Sequence, residues 1–228
     1  ANFYDHSAGV ASMIQGRKIT VDDVRRDVEQ GRHQSWGFWK FARNVVGPDE
    51  PIVYPARTKR LDYEVEVAAV IGKKGKDISE DEALDHVYGY TIVNDISARD
   101  QADDRGFFLA KNFDTSAPMG PCIVTADELG DPHYLGMRLT VNGVIRQEGS
   151  MRSMIRPFPY WISLLTRDMT LYPGDIICGG TCAGTALDTS PRDAQGKTKP
   201  DNFLNPDDVI EAWVEKIGTL RNLVMAKH

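Results

Sequence analysis

Apolar and polar residues alternate through Arg60-Leu-Asp-Tyr-Glu-Val-Glu-Val-Ala-Ala-Val-Ile-Gly72. Leu61, Tyr63, Val65 and Val67 therefore share one face, and Asp62, Glu64 and Glu66 share the other. This period predicts a strand, and the unbroken apolar run from Val67 to Ile71 predicts that its second half is covered on both sides. From Ile52 onward, runs rich in Val, Ile, Tyr and Thr alternate with turn signals. Asn142-Gly143, between Met137-Arg-Leu-Thr-Val141 and Val144-Ile-Arg146, predicts a tight hairpin. Helical signals are fewer. Thr20 to Gly31 reads as an amphipathic helix with Thr20 as N-cap, acidic residues in the first turn and Gly31 as its stop. Two shorter helices are predicted, from Ser79 to His86 and from Pro159 to Thr166, where proline suits a first turn. Asp188 to Asn202, rich in Asp, Pro, Lys and Gly, reads as a mobile loop. With no internal repeat and no linker, one β-rich α+β domain is expected over residues 1–228, with a front segment 1–50 and a β-rich body 51–228.

The carboxylates on the polar face bear on chemistry. Glu64 and Glu66, two apart on a strand, point the same way, and Asp95 ends the next apolar run. A solvated face is the commoner use of such residues. A pair that enters a covered strand, however, requires a cation or hydrogen-bond donors, because unpaired buried charge is costly.

The formal charge of -6 over 228 residues, without clustered Lys and Arg, argues against a nucleic-acid partner and leaves small anions as ligands through local positive groups. No run is long enough to span a bilayer, and Ala1-Asn-Phe-Tyr-Asp-His6 lacks the regions of a signal peptide, so no membrane partner and a cytoplasmic location are expected. Cys122, Cys178 and Cys182 have no zinc spacing and read as reduced packing thiols. Trp36-Gly-Phe-Trp-Lys-Phe41 is an aromatic cluster suited to core or interface, or, beside a cleft, to a lid or substrate wall.

Five motifs in order, Asp62-Tyr-Glu-Val-Glu66, Gly89-Tyr-Thr-Ile-Val-Asn-Asp-Ile-Ser-Ala-Arg-Asp100, Lys111-Asn-Phe-Asp-Thr115, Leu171-Tyr-Pro-Gly-Asp175 and Gly180-Thr-Cys-Ala-Gly184, resemble the fumarylacetoacetate hydrolase family. The resemblance runs from about Tyr54 to Val224 and includes Asp208-Val-Ile-Glu and Ile217-Gly-Thr-Leu-Arg-Asn222. It implies a mixed β-roll catalytic domain with a few short helices, a homodimer, a bound Mg2+ or Mn2+ and a small 2-oxo acid as substrate. On the matching positions it implies Glu64, Glu66 and Asp95 as metal ligands, a donor set that suits a hard divalent cation. It also implies Lys111 as the lysine beside the metal and Thr181 as a substrate contact in the Gly-rich turn; the plainer readings are a surface lysine and an ordinary tight turn.

At the front, Asn2-Phe-Tyr-Asp-His6 is similar to the segment with the family's catalytic base, and Lys40 to the lysine lining its substrate cleft. Two departures stand out: Gly9 occupies the position where many members carry a glutamate partner for the histidine, and Phe41 replaces the usual proline. His6 therefore needs an acid from elsewhere if it is a base rather than a structural histidine. Gln101, a further substrate candidate, follows Asp100 directly where members often have one residue between. The stretch from His6 to Lys40 is longer than usual by about one helix and its turns, which predicts a reshaped lid.

The activity implied is carbon–carbon hydrolysis of a 2,4-dioxo acid through a metal-stabilised enolate. Oxaloacetate decarboxylation, or isomerisation, hydration or dehydration of a 2-oxo acid, fits the same site, and so does a metal-binding member without catalysis. Arg152 and Arg156 are candidates for a distal substrate carboxylate or for plain surface arginines.

Overall fold

Two five-stranded sheets meet in the computed structural model, which describes residues 2–102, 106–191, 193, 198–199 and 201–227. The first runs, in spatial order, β1 (Val45–Val46), β7 (Ala117–Thr125), β5 (Val87–Asn94), β4 (Val65–Ile71) and β10 (Ile176–Thr181). The second runs β2 (Ile52–Val53), β12 (Gly218–Met225), β11 (Val209–Val214), β8 (Gly136–Val141) and β9 (Val144–Ser150). A small third sheet joins β3 (Leu61–Asp62) to β6 (Ser97–Ala98). The β1–β7 and β2–β12 pairs are parallel and the other described pairs antiparallel, so the sheets are mixed, as expected of a β-rich α+β fold with short helices.

Period-2 patterning decides which faces meet. Val65, Val67, Ala69 and Ile71 of β4, with Tyr90 and Ile92 of β5, pack in one buried cluster with Met137, Leu139 and Val141 of β8 and Ile210, Ala212 and Val214 of β11. Phe158 and Ile162 of α5 (Phe158–Thr166) belong to the same cluster. Burying a side chain of this size contributes roughly 1.5–3 kcal/mol. A one-residue slip in β4 would drive Glu66 into this apolar cluster, so the strand's register is held and Glu66 is held on the opposite face.

The predicted strand from Leu61 divides in two at Tyr63 and Glu64. Local side chains capture the amides there: Asp62 Oδ1 accepts from Tyr63 N–H (2.8 Å) and Asn94 Oδ1 from Glu64 N–H (3.0 Å), so the ladder breaks between β3 and β4. The hairpin forms where expected, with Asn142 and Gly143 both at positive φ (52° and 76°) between β8 and β9.

The front segment holds more helix than its pattern suggests. α1 (Tyr4–Gln15) interleaves its apolar residues with Ser7, Gly9 and Ser12, poor helix formers that blur the period, and is held by packing of Ala8, Val24 and Ile155 rather than by propensity. α2 (Val21–Glu29) begins at Thr20 with a reciprocal capping box to Asp23, and Gly31 follows at φ 67°. The predicted helix from Ser79 contracts to one 3₁₀ turn, Ala83–His86, and the amides of Asp77 and Ile78 ahead of it are tied to Thr166 at the end of α5.

Of the stretch read as a mobile loop, Asp188 and Thr189 complete α6 (Ala186–Thr189), and residues 192, 194–197 and 200 lie outside the described residues. Cys182 is the packing thiol expected, and burial pushes it up to about 12, which leaves it unreactive. Among the described residues no helix is long and apolar enough to cross a membrane.

Candidate active site

Antiparallel pairing of β4 with β5 sets Val65 opposite Asn94, and Asp95 N–H donates to Glu64 O at 2.9 Å. The three carboxylates of the polar stripe and the next run's end therefore converge. Glu64, Glu66 and Asp95 are all buried, and a carboxylate oxygen from each lies within 4.8 Å of the other two.

Positive groups surround two of the three. Lys111 closes α3 (Phe108–Lys111), and its Nζ donates to Glu64 Oε2 (2.8 Å) and Asp95 Oδ2 (2.6 Å). Lys40 comes from the front segment and donates to Asp95 Oδ1 (2.6 Å) and to Lys111 O (2.8 Å). Arg99 bridges Glu64 Oε1 and Asp62 Oδ2. Burial alone would raise Glu64, yet Lys111 and Arg99 beside it hold it well below the usual carboxylate range. Burial likewise opposes the Lys111 charge, but Asp95 and Glu64 outweigh it and raise its pKa.

Glu66 lacks such a partner. Its Oε2 accepts from Gly180 N–H at 2.8 Å, and among the described residues no lysine or arginine forms an ion pair with it. Burial, then the charges of Asp95 and Glu64, push it up to about 8. With Arg99 offset by Asp62, three carboxylates face two ammonium groups, so one negative charge is left over once Glu66 gives up its proton. An all-oxygen, buried cluster that becomes net-negative on losing that proton fits a hard divalent cation such as Mg2+ or Mn2+, which would be held by Glu64, Glu66 and Asp95.

His6 lies in the first turn of α1, and its Nδ1 is 2.9 Å from Asp188 Oδ2, with both side chains nearly buried. Facing a carboxylate, Nδ1 is the donor, so Nε2 is the basic nitrogen. The Asp188 carboxylate is itself oriented by Gly184 N–H (3.2 Å) and Thr185 N–H (3.3 Å), and Thr185 and Asp188 form a capping box that starts α6. Gly184 needs to be glycine, since its φ is 103° and a Cβ there would lie 2.2 Å from Arg146 O. A Cβ on Gly9 would lie only 3.3 Å from Asp188 Oδ1. Position 9, where the family often carries a glutamate, is thus the place that Asp188 reaches from the other side. Asp5 reinforces the arrangement by accepting from His6 N–H (2.9 Å) and Ala183 N–H (3.3 Å).

The other candidates distribute unevenly. Thr181 lies opposite Glu66 across β10 and β4, but its hydroxyl donates to Val65 O and accepts from Gln147 Nε2, both at 2.8 Å. Gln147, which the sequence did not single out, is fully buried and binds Val65 N–H and Cys182 O as well. Gln101 turns its amide to Arg57 O (2.8 Å) and Asp100 O (3.3 Å), not to the cluster. Arg152 and Arg156 lie over the rings of Tyr134 and Tyr160 and form no described ion pair with an acid. The aromatic segment does flank the site: Phe38 lies under Lys111 Nζ (4.9 Å), and Trp36 stacks on Phe107 (5.2 Å) while Trp39 stays 69% exposed.

The model of the family described as fumarylacetoacetate (FAA) hydrolase C-terminal matches residues 2–225. The chain is 39% identical over 191 residues to a mitochondrial oxaloacetate tautomerase of Xenopus laevis, covering 82% of this chain and 57% of that protein. Among solved structures, a fumarylacetoacetate hydrolase from Exiguobacterium antarcticum is similar with TM-score 0.78 and 39% identity, covering 86% of this chain and 68% of that one. A fumarylpyruvate hydrolase from Pseudomonas aeruginosa in complex with Mn2+ and pyruvate is similar with TM-score 0.78 and 26% identity, covering 99% and 87%. The chain spans little more than half the length of the curated relative it matches. Motif order, carboxylate geometry and the match over almost every residue agree: the chain belongs to the fumarylacetoacetate hydrolase family.

Proposed function

We propose that this protein moves a proton on a short 2-oxo acid, with keto–enol interconversion of oxaloacetate as its reaction and Mg2+ or Mn2+ as its cofactor. The observation that carries this reading is the His6–Asp188 pair, a histidine oriented by a carboxylate and close enough to the carboxylate cluster for its charge to act on Glu64. The name of the Xenopus relative, an oxaloacetate tautomerase, supports it.

Glu64, Glu66 and Asp95 would hold a divalent cation, which would supply Lewis-acid charge to the site. His6 Nε2 takes a proton from C3 of the substrate, and the C–H electron pair becomes the C2–C3 double bond. Asp188 stabilises the imidazolium formed. Lys111, fixed between Glu64 and Asp95, adds positive charge beside the oxygen that becomes negative. The proton then returns to oxygen or to carbon, so the net change consumes neither water nor a redox partner. Lys40 is the proposed contact to the substrate carboxylate, and Thr181 and Gln101 would join it only on releasing Val65 O and Arg57 O respectively. The front segment 1–50 acts as lid and substrate wall over the body 51–228. The active protein is a homodimer, for which exposed Tyr88, Ile123 and Ile176 provide apolar surface.

A second reading is hydrolysis of a 2,4-dioxo acid. In it, His6 activates a water whose oxygen bonds to C4, while the C3–C4 pair remains with the pyruvate enolate. The structural similarity to the P. aeruginosa fumarylpyruvate hydrolase, which at 26% identity covers 99% of the chain, favours it. One experiment separates these readings. Oxaloacetate enol decay and pyruvate release from oxaloacetate and from acylpyruvates are followed with Mn2+ and with EDTA. Mn2+-dependent enol decay without pyruvate supports the tautomerase. Faster pyruvate release from acylpyruvates replaces it with the hydrolase, and from oxaloacetate with a decarboxylase. Cation binding with no turnover of any of them leaves a non-catalytic member.

A further inference from the structure

Asp62 opens the polar stripe, yet none of the roles above uses it. It is fully buried, and four donors converge on its carboxylate. Oδ1 accepts from Ala186 N–H (2.7 Å) and Tyr63 N–H (2.8 Å), and Oδ2 from Arg99 Nε (2.8 Å) and Leu187 N–H (3.1 Å). These donors come from different parts of the site. Arg99 grips Glu64 of the carboxylate cluster with the other arm of its guanidinium. Ala186 and Leu187 begin α6, the short helix that carries Asp188 and thereby orients His6. A continuous line of contacts therefore runs from Glu64 through Arg99, Asp62 and α6 to Asp188 and His6.

We propose that Asp62 is a positioning residue that couples the cation-binding half of the site to its base. A planar guanidinium holds two carboxylates at fixed angles, so Asp62 determines how far Glu64 is drawn toward Arg99 and away from the cation. A helix of four residues has little stability of its own, and its first amides are satisfied by this one carboxylate. If Asp62 served only to neutralise Arg99, no donors from the segment bearing Asp188 would be needed. The inference rests on the functional reading above for its catalytic consequence but not for its structural one.

The test is Asp62→Asn in the intact chain, read by calorimetric Mn2+ binding, by hydrogen exchange at the amides of 186 and 187 with and without Mn2+, and by steady-state turnover of oxaloacetate. The expected result is Mn2+ affinity and kcat each lowered about tenfold or more with KM little changed, the range typical of groups that orient metal ligands. Exchange at 186 and 187 becomes faster and ceases to respond to Mn2+. Asp188→Asn, the comparison, lowers kcat but binds Mn2+ like the parent. Unchanged Mn2+ binding or unchanged exchange in Asp62→Asn overturns the coupling, whatever its melting temperature. If that variant does not fold, Arg99→Lys, which keeps the charge but cannot span both carboxylates, is judged by the same criteria. If the parent turns over no 2-oxo acid, the functional reading fails, while calorimetry and exchange still decide the coupling.

Discussion

His6 and Asp188 are 182 residues apart in the chain, and their side chains meet at 2.9 Å. The pair predicts a transplant. Asp188→Ala should lower turnover by roughly 10²-fold or more, the usual contribution of an oriented acid–base group. Because a Cβ at Gly9 would lie 3.3 Å from Asp188 Oδ1, Gly9→Glu in the parent sets a second carboxylate against the first and lowers activity. Added to Asp188→Ala, Gly9→Glu fills the vacated space and recovers part of the turnover. Steady-state rates of the three variants check this, and a double variant no better than Asp188→Ala refutes it.

Cation binding should depend on pH through Glu66. Raised to about 8 by burial and its neighbours, it keeps its proton at neutral pH in the metal-free protein and must lose it to bind a cation. Mn2+ affinity is therefore expected to climb, by up to about tenfold per pH unit, as pH rises toward 8 and to level off above it. The stability of the metal-free protein has the opposite sign. Between the ordinary value of 4.5 and about 8 the unfolded chain releases this proton while the folded one keeps it, so stability falls as pH rises across that window. Calorimetry and EDTA-treated melting curves at several pH values read both slopes; flat profiles refute them.

Lys111→Met should destabilise the metal-free protein by roughly 3–5 kcal/mol, the penalty for removing one partner of a buried ion pair, because Glu64 and Asp95 lose the ammonium that bridges them. Added Mn2+ should restore most of that loss, whereas turnover stays low. Melting with EDTA or Mn2+ reads the difference, and equal destabilisation in both would refute this account of Lys111.

Gln147→Leu leaves Val65 N–H, Cys182 O and one interaction of the Thr181 hydroxyl without their side-chain partner. Orphaned buried groups cost about 1–3 kcal/mol each, so a loss of about 3 kcal/mol in urea unfolding is expected. A change below 1 kcal/mol, on the order of one ordinary hydrogen bond, would mean that β4 and β10 do not depend on it.

What the sequence revealed follows the range of the contacts. Glu64, Glu66 and Asp95 were legible because one hairpin pairing, β4 with β5, brings them together and period 2 assigns their face. Lys111 and Lys40 were legible through the motifs around them. Asp188 was not, because its partner lies at the other end of the chain and its own neighbourhood reads as loop; the only local trace is the capping spacing from Thr185. α1 was missed because tertiary packing against α2 outweighs its weak period. The break at Tyr63 was hidden because Asn94 and Asp62 capture the two amides with side chains that the alternation pattern ignores. Gln101 shows the converse, a motif position whose amide is committed to the backbone of Arg57.

The different reach of these contacts has a consequence for how the protein acquires its activity. The carboxylate cluster depends on a turn-and-return of some thirty residues, Glu64 to Asp95, whereas the base needs His6 of α1 to meet Asp188 of α6, a loop closure across most of the chain. Long closures are entropically slow and come late in folding. During refolding the protein should therefore capture its cation before it can turn over substrate, and a chain arrested between those events would be a metal-binding protein without an enzyme's rate.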